Sequence, residues 1–247
     1  MTINDRDIVT IPISRSVIDR AAYTAGKKFS TTATGFINRE AIVILEDIFR
    51  GDLAKLALIE YLESNGVNNI EDYDRVRTDN FLEPNNREWH FRTTRNQNLV
   101  RVEVNSSQKP RNYTIDRIIN ELDIKINAGN ENVEILPLNH TYDIAVQLYY
   151  YDIPLRSRYY NQQQIFNNLN VSDDQIGSRV VKMLNLYTRF DNIYAYAWRS
   201  MQEVDLIRRE NIALGNNAKW SFYNSNRLFW KCPIRESNTI AELINEL

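Results

Sequence analysis

The 247-residue chain is poor in residues that mark several common protein classes. Its single cysteine, Cys232, excludes a disulfide within the chain and gives no indication of an oxidising compartment. No run approaches the roughly 20 apolar residues that a membrane-spanning helix requires. The first 15 residues lack the basic-then-apolar layout of a secretory signal. We therefore expect a cytoplasmic protein that does not enter a membrane.

An excess of positive charge is also lacking. The chain has 30 basic and 32 acidic residues, so its net charge of −2 gives no support to nucleic-acid binding, which usually requires a basic face. Local basic clusters occur at 156–160 and 208–210, but such clusters are more often solvated surface than binding sites. Hydrophobic residues make up 43% of the chain, which is enough for a sizeable core.

The apolar pattern predicts an alternation of helices and strands, with no internal repeat and only seven glycines and six prolines between them. Helical spacing predicts a helix at 38–50, which Gly51 interrupts, and a second helix at 52–66. Further elements are predicted as strands at 89–93, 99–105, 142–153 and 192–198, helices at 114–122, 172–187, 203–210 and 239–247, and a hairpin within 219–234. This order predicts an α/β or α+β fold with a mixed sheet covered on its faces. We expect residues 1–37 to form an N-terminal extension and 38–247 a single domain.

The stretch "LVRVEVN" (99–105) alternates as a half-buried strand does, with valines on one face and Arg101, Glu103 and Asn105 on the other. A carboxylate on such a face can bind a hard cation such as Mg²⁺. A bound metal ion lowers the pKa of its water and stabilises charge on a phosphate. Periodicity alone favours an ordinary exposed strand, on which Glu103 and Asn105 need no special role.

A longer set of sequence motifs bears on whether Glu103 and Asn105 belong to a catalytic site or to an ordinary exposed strand. "GDLAKLALIEYLESNG", a "YD" strand start, "PNNREWHF" and "VRVEVNSS" followed by "KP" occur in this order, and "VQLYYY", "YAYAW" and "IAEL" follow later. Together they resemble the PD-(D/E)XK nuclease superfamily of restriction-endonuclease-like proteins, including bacterial members, over residues 38 to 247. The resemblance implies a mixed β-sheet flanked by helices on both faces, double-stranded DNA as the partner, and Mg²⁺ or Mn²⁺ as the cofactor of an active enzyme.

Three of the four positions that carry the superfamily's chemistry depart from its pattern. Glu103 matches the strand carboxylate, but Asn105 stands at the catalytic lysine, His90 at the metal-binding aspartate and Lys55 at the helix glutamate. His90 is a poor ligand for Mg²⁺, although Mn²⁺ or Zn²⁺ accepts it. Asn105 brings no positive charge to a phosphate, and such a loss commonly costs roughly 10²–10³ in rate. Lys55 is the candidate to supply the missing cation.

Further residues complete the predicted site. Asp74 is the best-placed second carboxylate, so the predicted metal ligands are Glu103, His90 and Asp74. Gln147 resembles a polar residue on a later strand of the family that faces the site. The predicted DNA contacts are Gln147, Ser106, Lys109 and Arg111.

Three functions follow from these residues. The first is a restriction-endonuclease-like protein, in effect a pseudo-enzyme, that interacts with DNA and has an eroded or rebuilt catalytic site. The second is an active metal-dependent DNA endonuclease that uses Glu103 with Asp74 or His90, and the third is a non-catalytic interaction domain. Activity requires a cation near Glu103, for which the candidates are Lys55, Arg101 and Lys109. The assemblies that we expect for such a protein include a homodimer.

Overall fold

The computed structural model describes residues 2–32, 40–79, 81, 89–128, 141–151, 169, 174–221 and 227–247. The strands are β1 (Val9–Pro12), β2 (Glu71–Asp72), β3 (Phe91–Arg95), β4 (Asn98–Gln108), β5 (Ile126–Asn127), β6 (Ile144–Tyr150), β7 (Asn192–Ser200), β8 (Lys219–Ser221) and β9 (Leu228–Trp230). The α-helices are α1 (Arg15–Thr32), α2 (Ala41–Ser64), α3 (Tyr73–Val76), α4 (Ile115–Glu121), α5 (Ile176–Leu184), α6 (Met201–Ala213) and α7 (Ile240–Glu246).

Six strands form the main sheet in the order β1-β7-β6-β4-β3-β2. β3 and β4 are an antiparallel hairpin whose two turn residues, Asn96 and Gln97, both have positive φ, as tight hairpins require. β4 and β6 run parallel, whereas the other pairs of this sheet are antiparallel. A smaller antiparallel sheet has the order β5-β9-β8. The fold is therefore mixed α/β, as the sequence predicted.

Each face of the main sheet packs against a separate hydrophobic core. Val102 and Val104 of β4 are buried in one core with α2, as the strand pattern predicted, and α1 and α5 lie in the same core. On the other face, Ala145 and Tyr149 of β6 pack with residues of α4, α6 and the small sheet. Because side chains alternate along a strand, Glu103 and Asn105 point away from α2.

Helix α2 differs from its prediction. It is one continuous helix from Ala41 to Ser64, so Gly51 does not interrupt it. Its apolar side chains are buried on most sides because it lies between α1 and the sheet. Burial along its length outweighs the cost of about 1 kcal/mol that one glycine brings to a helix interior.

The N-terminal segment belongs to the same core as the residues that follow it. β1 pairs with β7 at the edge of the main sheet, and α1 packs against α2 and α5. Two glycines permit a close approach of α1 and α5, because a Cβ on Gly26 would lie 2.7 Å from Ile176 and one on Gly177 would lie 3.1 Å from the Tyr23 backbone. Residues 9–32, predicted as part of an extension, are thus part of the domain's packing.

The remaining predicted elements occur close to their expected places. The strand predicted at 89–93 begins at Phe91, and α6 extends to Ala213, beyond its predicted end at 210. The basic cluster at 156–160 lies outside the described residues. Among the helices that the structure describes, none is both long enough and apolar enough to cross a membrane.

Candidate functional site

The candidate site lies where β4 continues past the end of β3. β3 pairs with β4 as far as Val102, and the His90 backbone N–H donates to the Val102 carbonyl at 2.9 Å. From there to Gln108, the strand partner of β4 in the described part of the chain is β6. Among the described residues, one edge of β4 thus has no strand partner beside Glu103 and Asn105.

The side chains of His90 and Glu103 are in contact where β4 loses its pairing with β3. His90 Nδ1 lies 3.1 Å from Glu103 Oε2 and also accepts the Val104 backbone N–H at 3.0 Å. A ring nitrogen without a proton accepts from Val104, whereas a ring nitrogen that carries a proton donates to the carboxylate, so Nδ1 makes one of these two hydrogen bonds at a time. The structure therefore brings together His90 and Glu103, two residues that the resemblance placed in one site.

A cavity of about 210 Å³ opens next to Glu103. It is lined by Glu103, Asn105, Lys125, Asn127, Tyr142, Arg227 and Phe229. Asn105 Nδ2 is buried and has no hydrogen-bond partner among the described residues. An unsatisfied buried donor costs about 1–3 kcal/mol, which an acceptor atom brought by a ligand would offset.

Lys125 and Arg227 place two cations on this cavity. Burial and the nearby Arg227 lower the pKa of Lys125 to about 8, while Asp47 acts in the opposite direction. Burial and the charge of Arg227 each disfavour the protonated form of Lys125. An anion in the cavity would attract both cations and would favour protonation of Lys125. Two basic side chains therefore line this small cavity together with Glu103.

The Gln147 side chain holds the backbone of Lys125 in place. This side chain is fully buried, and its Oε1 accepts the Lys125 backbone N–H at 3.1 Å. Its Nε2 donates to the Leu148 carbonyl at 2.9 Å and to Ser107 Oγ at 3.3 Å. The predicted DNA contact through Gln147 is therefore wrong, because its amide is enclosed and bonded to protein. It instead connects β6 to β4 and to the segment before β5.

Lys55 lies on the other side of the sheet from this cavity. It is 1% exposed, and its Nζ donates to Asp72 Oδ1 at 2.8 Å and to Asp74 Oδ2. Lys28 also donates to Asp74, at 2.7 Å, and to Asp52, at 2.5 Å. The expectation that Lys55 supplies the cation missing at Asn105 is corrected, since its charge is used among aspartates on the α2 side.

The other predicted cations are engaged elsewhere. The Arg101 guanidinium donates to the Thr141 carbonyl at 3.4 Å, and Lys109 Nζ donates to the Tyr113 carbonyl at 2.9 Å. Arg111 is exposed in the turn after β4. In the described part of the chain, the basic side chain close to Glu103 is that of His90, whose Nδ1 lies 3.1 Å away.

A second cavity of about 480 Å³ adjoins the first and shares Lys125 with it. Its lining residues are Val43, Glu46, Asp47, Arg50, Ser106, Ser107, Gln108, Lys125 and Tyr150. Ser106, predicted to contact DNA, therefore lies at a cavity wall. Glu46 is held by Arg50 at 3.1 Å and by Arg189.

The predicted metal ligands do not converge. Asp74 is bonded to Lys28 and Lys55, whereas Glu103 and His90 lie at the edge of β4. In the described part of the chain, no three side chains of His, Cys, Asp or Glu are placed to hold a metal ion. The donor set of Glu103 and His90 alone, with two cations lining the adjacent cavity, does not fit a Mg²⁺ site, which needs several oxygen ligands.

Lys125 and Arg227 are the residues that sequence reasoning missed. A signal for Lys125 was present, since "DIKIN" (123–127) alternates and places Ile124 and Ile126 in a core with Lys125 on the other face. Arg227 directly precedes β9, which pairs with β5. Nothing local in the sequence indicates that pairing.

Comparison of the chain with protein-family models, with curated proteins and with solved structures gave no match in any of the three. The site itself consists of Glu103, Asn105, Lys125 and Arg227 on one small cavity, with the His90 imidazole against Glu103.

Proposed function

We propose that the protein binds DNA by placing a backbone phosphate in the cavity beside Lys125 and Arg227, at an eroded restriction-endonuclease-like site. The observation that carries the proposal is the pair of cations on one cavity with Glu103 and Asn105. Phosphate contacts supply most of the affinity of sequence-independent DNA binding.

The arrangement of the chain also supports this proposal. The resemblance implies a long helix, then a strand entered at His90, then a strand with Glu103 and Asn105, and α2, β3 and β4 follow one another in this order. Lys125 then provides, from the segment before β5, a positive charge on the cavity that Asn105 lines. The proposed fold is accordingly the restriction-endonuclease-like one.

Erosion of the catalytic site is the preferred form of the proposal because of the ligand set. Metal-dependent cleavage with two carboxylates would bring Asp74 to the ion that Glu103 holds, and Asp74 is held by two lysines instead. The contact of His90 with Glu103, beside a cavity with Lys125, favours residual cleavage as the second candidate.

Binding is tested by fluorescence anisotropy with a labelled DNA duplex. Lys125→Met is expected to weaken binding by roughly 10- to 150-fold, the loss of a hydrogen bond to a charged group. Lys182→Met, at an exposed lysine of α5, should leave binding unchanged. Equal affinity of the wild type and Lys125→Met, or equal losses in both variants, would overturn the proposal.

Cleavage is tested with supercoiled plasmid in Mg²⁺ and in Mn²⁺. The eroded site predicts that wild type and Glu103→Gln leave the plasmid intact to the same extent. Nicking by the wild type that Glu103→Gln abolishes would instead establish the second candidate, an active endonuclease.

A further inference from the structure

We infer that an extended peptide segment of a partner protein pairs with the edge of β4 at Val104 and Ser106 and directs an acidic side chain into the smaller cavity. This inference goes beyond the proposed function, because its ligand is a peptide and not DNA. The backbone of β4 past the end of β3 and the two cavities beside it carry the inference.

The direction of the backbone groups of β4 follows from its hydrogen bonds to the segment that contains β6. The Asp143 backbone N–H donates to the Arg101 carbonyl at 2.9 Å, and the Lys109 N–H donates to the Tyr150 carbonyl at 2.8 Å. The backbone groups of successive residues point to opposite sides of a strand. Because Arg101 and Lys109 are both odd-numbered, the odd-numbered residues between them point their backbone groups toward β6, and the even-numbered residues point theirs to the other edge.

Val104 and Ser106 lie on that other edge, past the end of β3. The Val104 N–H donates to His90 Nδ1 at 3.0 Å. The Val104 carbonyl and both backbone groups of Ser106 point to the side on which, in the described ranges of the chain, no strand pairs with β4. A sheet edge of this kind accepts an added strand, because an extended backbone supplies the matching donor and acceptor.

The two cavities lie on opposite faces of the sheet beside this edge. The larger is lined by Val43 and Arg50 of α2, whereas the smaller is lined by Asn127 of β5 and by Phe229 of β9, and Lys125 lines both. Side chains alternate between the two faces of a strand, so successive side chains of a bound peptide would enter the two cavities in turn. Domains that bind peptides by adding a strand to a sheet select their ligands through such alternate pockets.

Charge selects the side chain that enters the smaller cavity. Lys125 and Arg227 line this cavity together with Glu103. Burial and the charge of Arg227 lower the pKa of Lys125 to about 8, against the opposing effect of Asp47. An acidic side chain beside the two basic ones would offset their repulsion, whereas a glutamine of similar size would not. A glutamate in an extended peptide therefore suits this position.

Fluorescence anisotropy with labelled peptides tests the inference on the wild-type protein in the absence of DNA. The probe is the peptide TVEVT, and the comparisons are TVQVT and a form of TVEVT with N-methyl groups on its valines and its glutamate. We expect TVEVT to bind roughly tenfold more tightly than TVQVT, the value of a hydrogen bond to a charged group. The methylated peptide should not bind, because it lacks the N–H groups that pair with β4. No binding of TVEVT, or equal binding of TVEVT and either comparison peptide, would overturn the inference.

Ser106→Pro tests the pairing from the side of the protein. The Ser106 N–H points away from β6, so proline removes no hydrogen bond of the sheet, and far-UV circular dichroism checks that the variant is folded. Ser106→Pro should weaken TVEVT binding by roughly fivefold, whereas Ser106→Ala, which keeps the N–H, should leave it unchanged. Unchanged binding in Ser106→Pro, or equal losses in both variants, would contradict the pairing.

Lys125→Met tests the position of the acidic side chain. This variant should bind TVEVT and TVQVT equally, because the glutamate loses its charged partner. A preference for TVEVT that persists in Lys125→Met would overturn the inference. DNA takes no part in these measurements, so their outcome is separate from that of the proposed function.

Discussion

Replacing Lys55 by methionine removes the central cation of a buried ionic cluster. This cluster consists of Lys28, Asp52, Lys55, Asp72 and Asp74. Burial acts to lower the pKa of Lys55, but the three aspartates outweigh it and raise the pKa above its ordinary value. Methionine keeps the length and the apolar stem of the side chain, so the change is mainly one of charge.

The expected cost follows from what the substitution leaves behind. Lys28 would still contact Asp52 and Asp74, but Asp72 would keep no cation of the cluster. Asp52 Oδ2 and Asp74 Oδ1 have no hydrogen-bond partner among the described residues even in the wild type. Removing one partner of a buried ion pair costs about 3–5 kcal/mol. That is a large part of the roughly 5–15 kcal/mol by which a domain is stable.

Urea denaturation followed by far-UV circular dichroism measures this cost. Lys28→Met is the matched control, since the Lys28 side chain is 17% exposed against 1% for Lys55 and should cost less. Asp72→Asn should recover part of the loss in Lys55→Met, because asparagine still caps α3, where Asp72 Oδ1 accepts the Asp74 N–H. A cost below about 1 kcal/mol for Lys55→Met would refute the reasoning.

Three further predictions concern stability. Gly51→Ala should raise the free energy of unfolding by about 0.5–1 kcal/mol, because a Cβ there meets no atom within 4 Å, and a lower melting temperature would contradict this. Gly177→Ala should lower it, since the new Cβ would lie 3.1 Å from the Tyr23 backbone; an unchanged melting temperature would mean that α1 and α5 are not so close. Burial acts to raise the pKa of Asp74, but Lys28 and Lys55 together lower it to about 2. Because this pKa lies below the ordinary 3.8, about 2 kcal/mol of stability should be present above pH 4 and lost between about pH 4 and 2, a loss that Asp74→Asn should not show in an acid titration.

Local patterns in the sequence predicted much of the fold. The alternation of β4 correctly placed Val102 and Val104 in the core and Glu103 on the other face, because one buried face imposes a period of two. Gly51 misled the prediction because burial of α2 on most sides, which no local signal reports, overrides a single helix-weakening residue.

The candidate site was predicted in part. His90 and Glu103 come together because they lie at adjacent points of one hairpin, so their meeting follows from local sequence. Lys125 and Arg227 reach the cavity through the pairing of β5 with β9, which are far apart in the chain. Lys55 could not be separated from the site by sequence alone, since its aspartate partners depend on how α2 packs against β2 and α3.

The salt dependence of DNA binding tests the phosphate site most directly. For a duplex, the logarithm of the binding constant falls with the logarithm of salt concentration by about 0.9 for each phosphate that is neutralised. Measured below about pH 7, where Lys125 is protonated, the slope for Lys125→Met should be smaller in magnitude than that of the wild type by about 0.9. An unchanged slope would contradict the claim that Lys125 contacts a DNA phosphate.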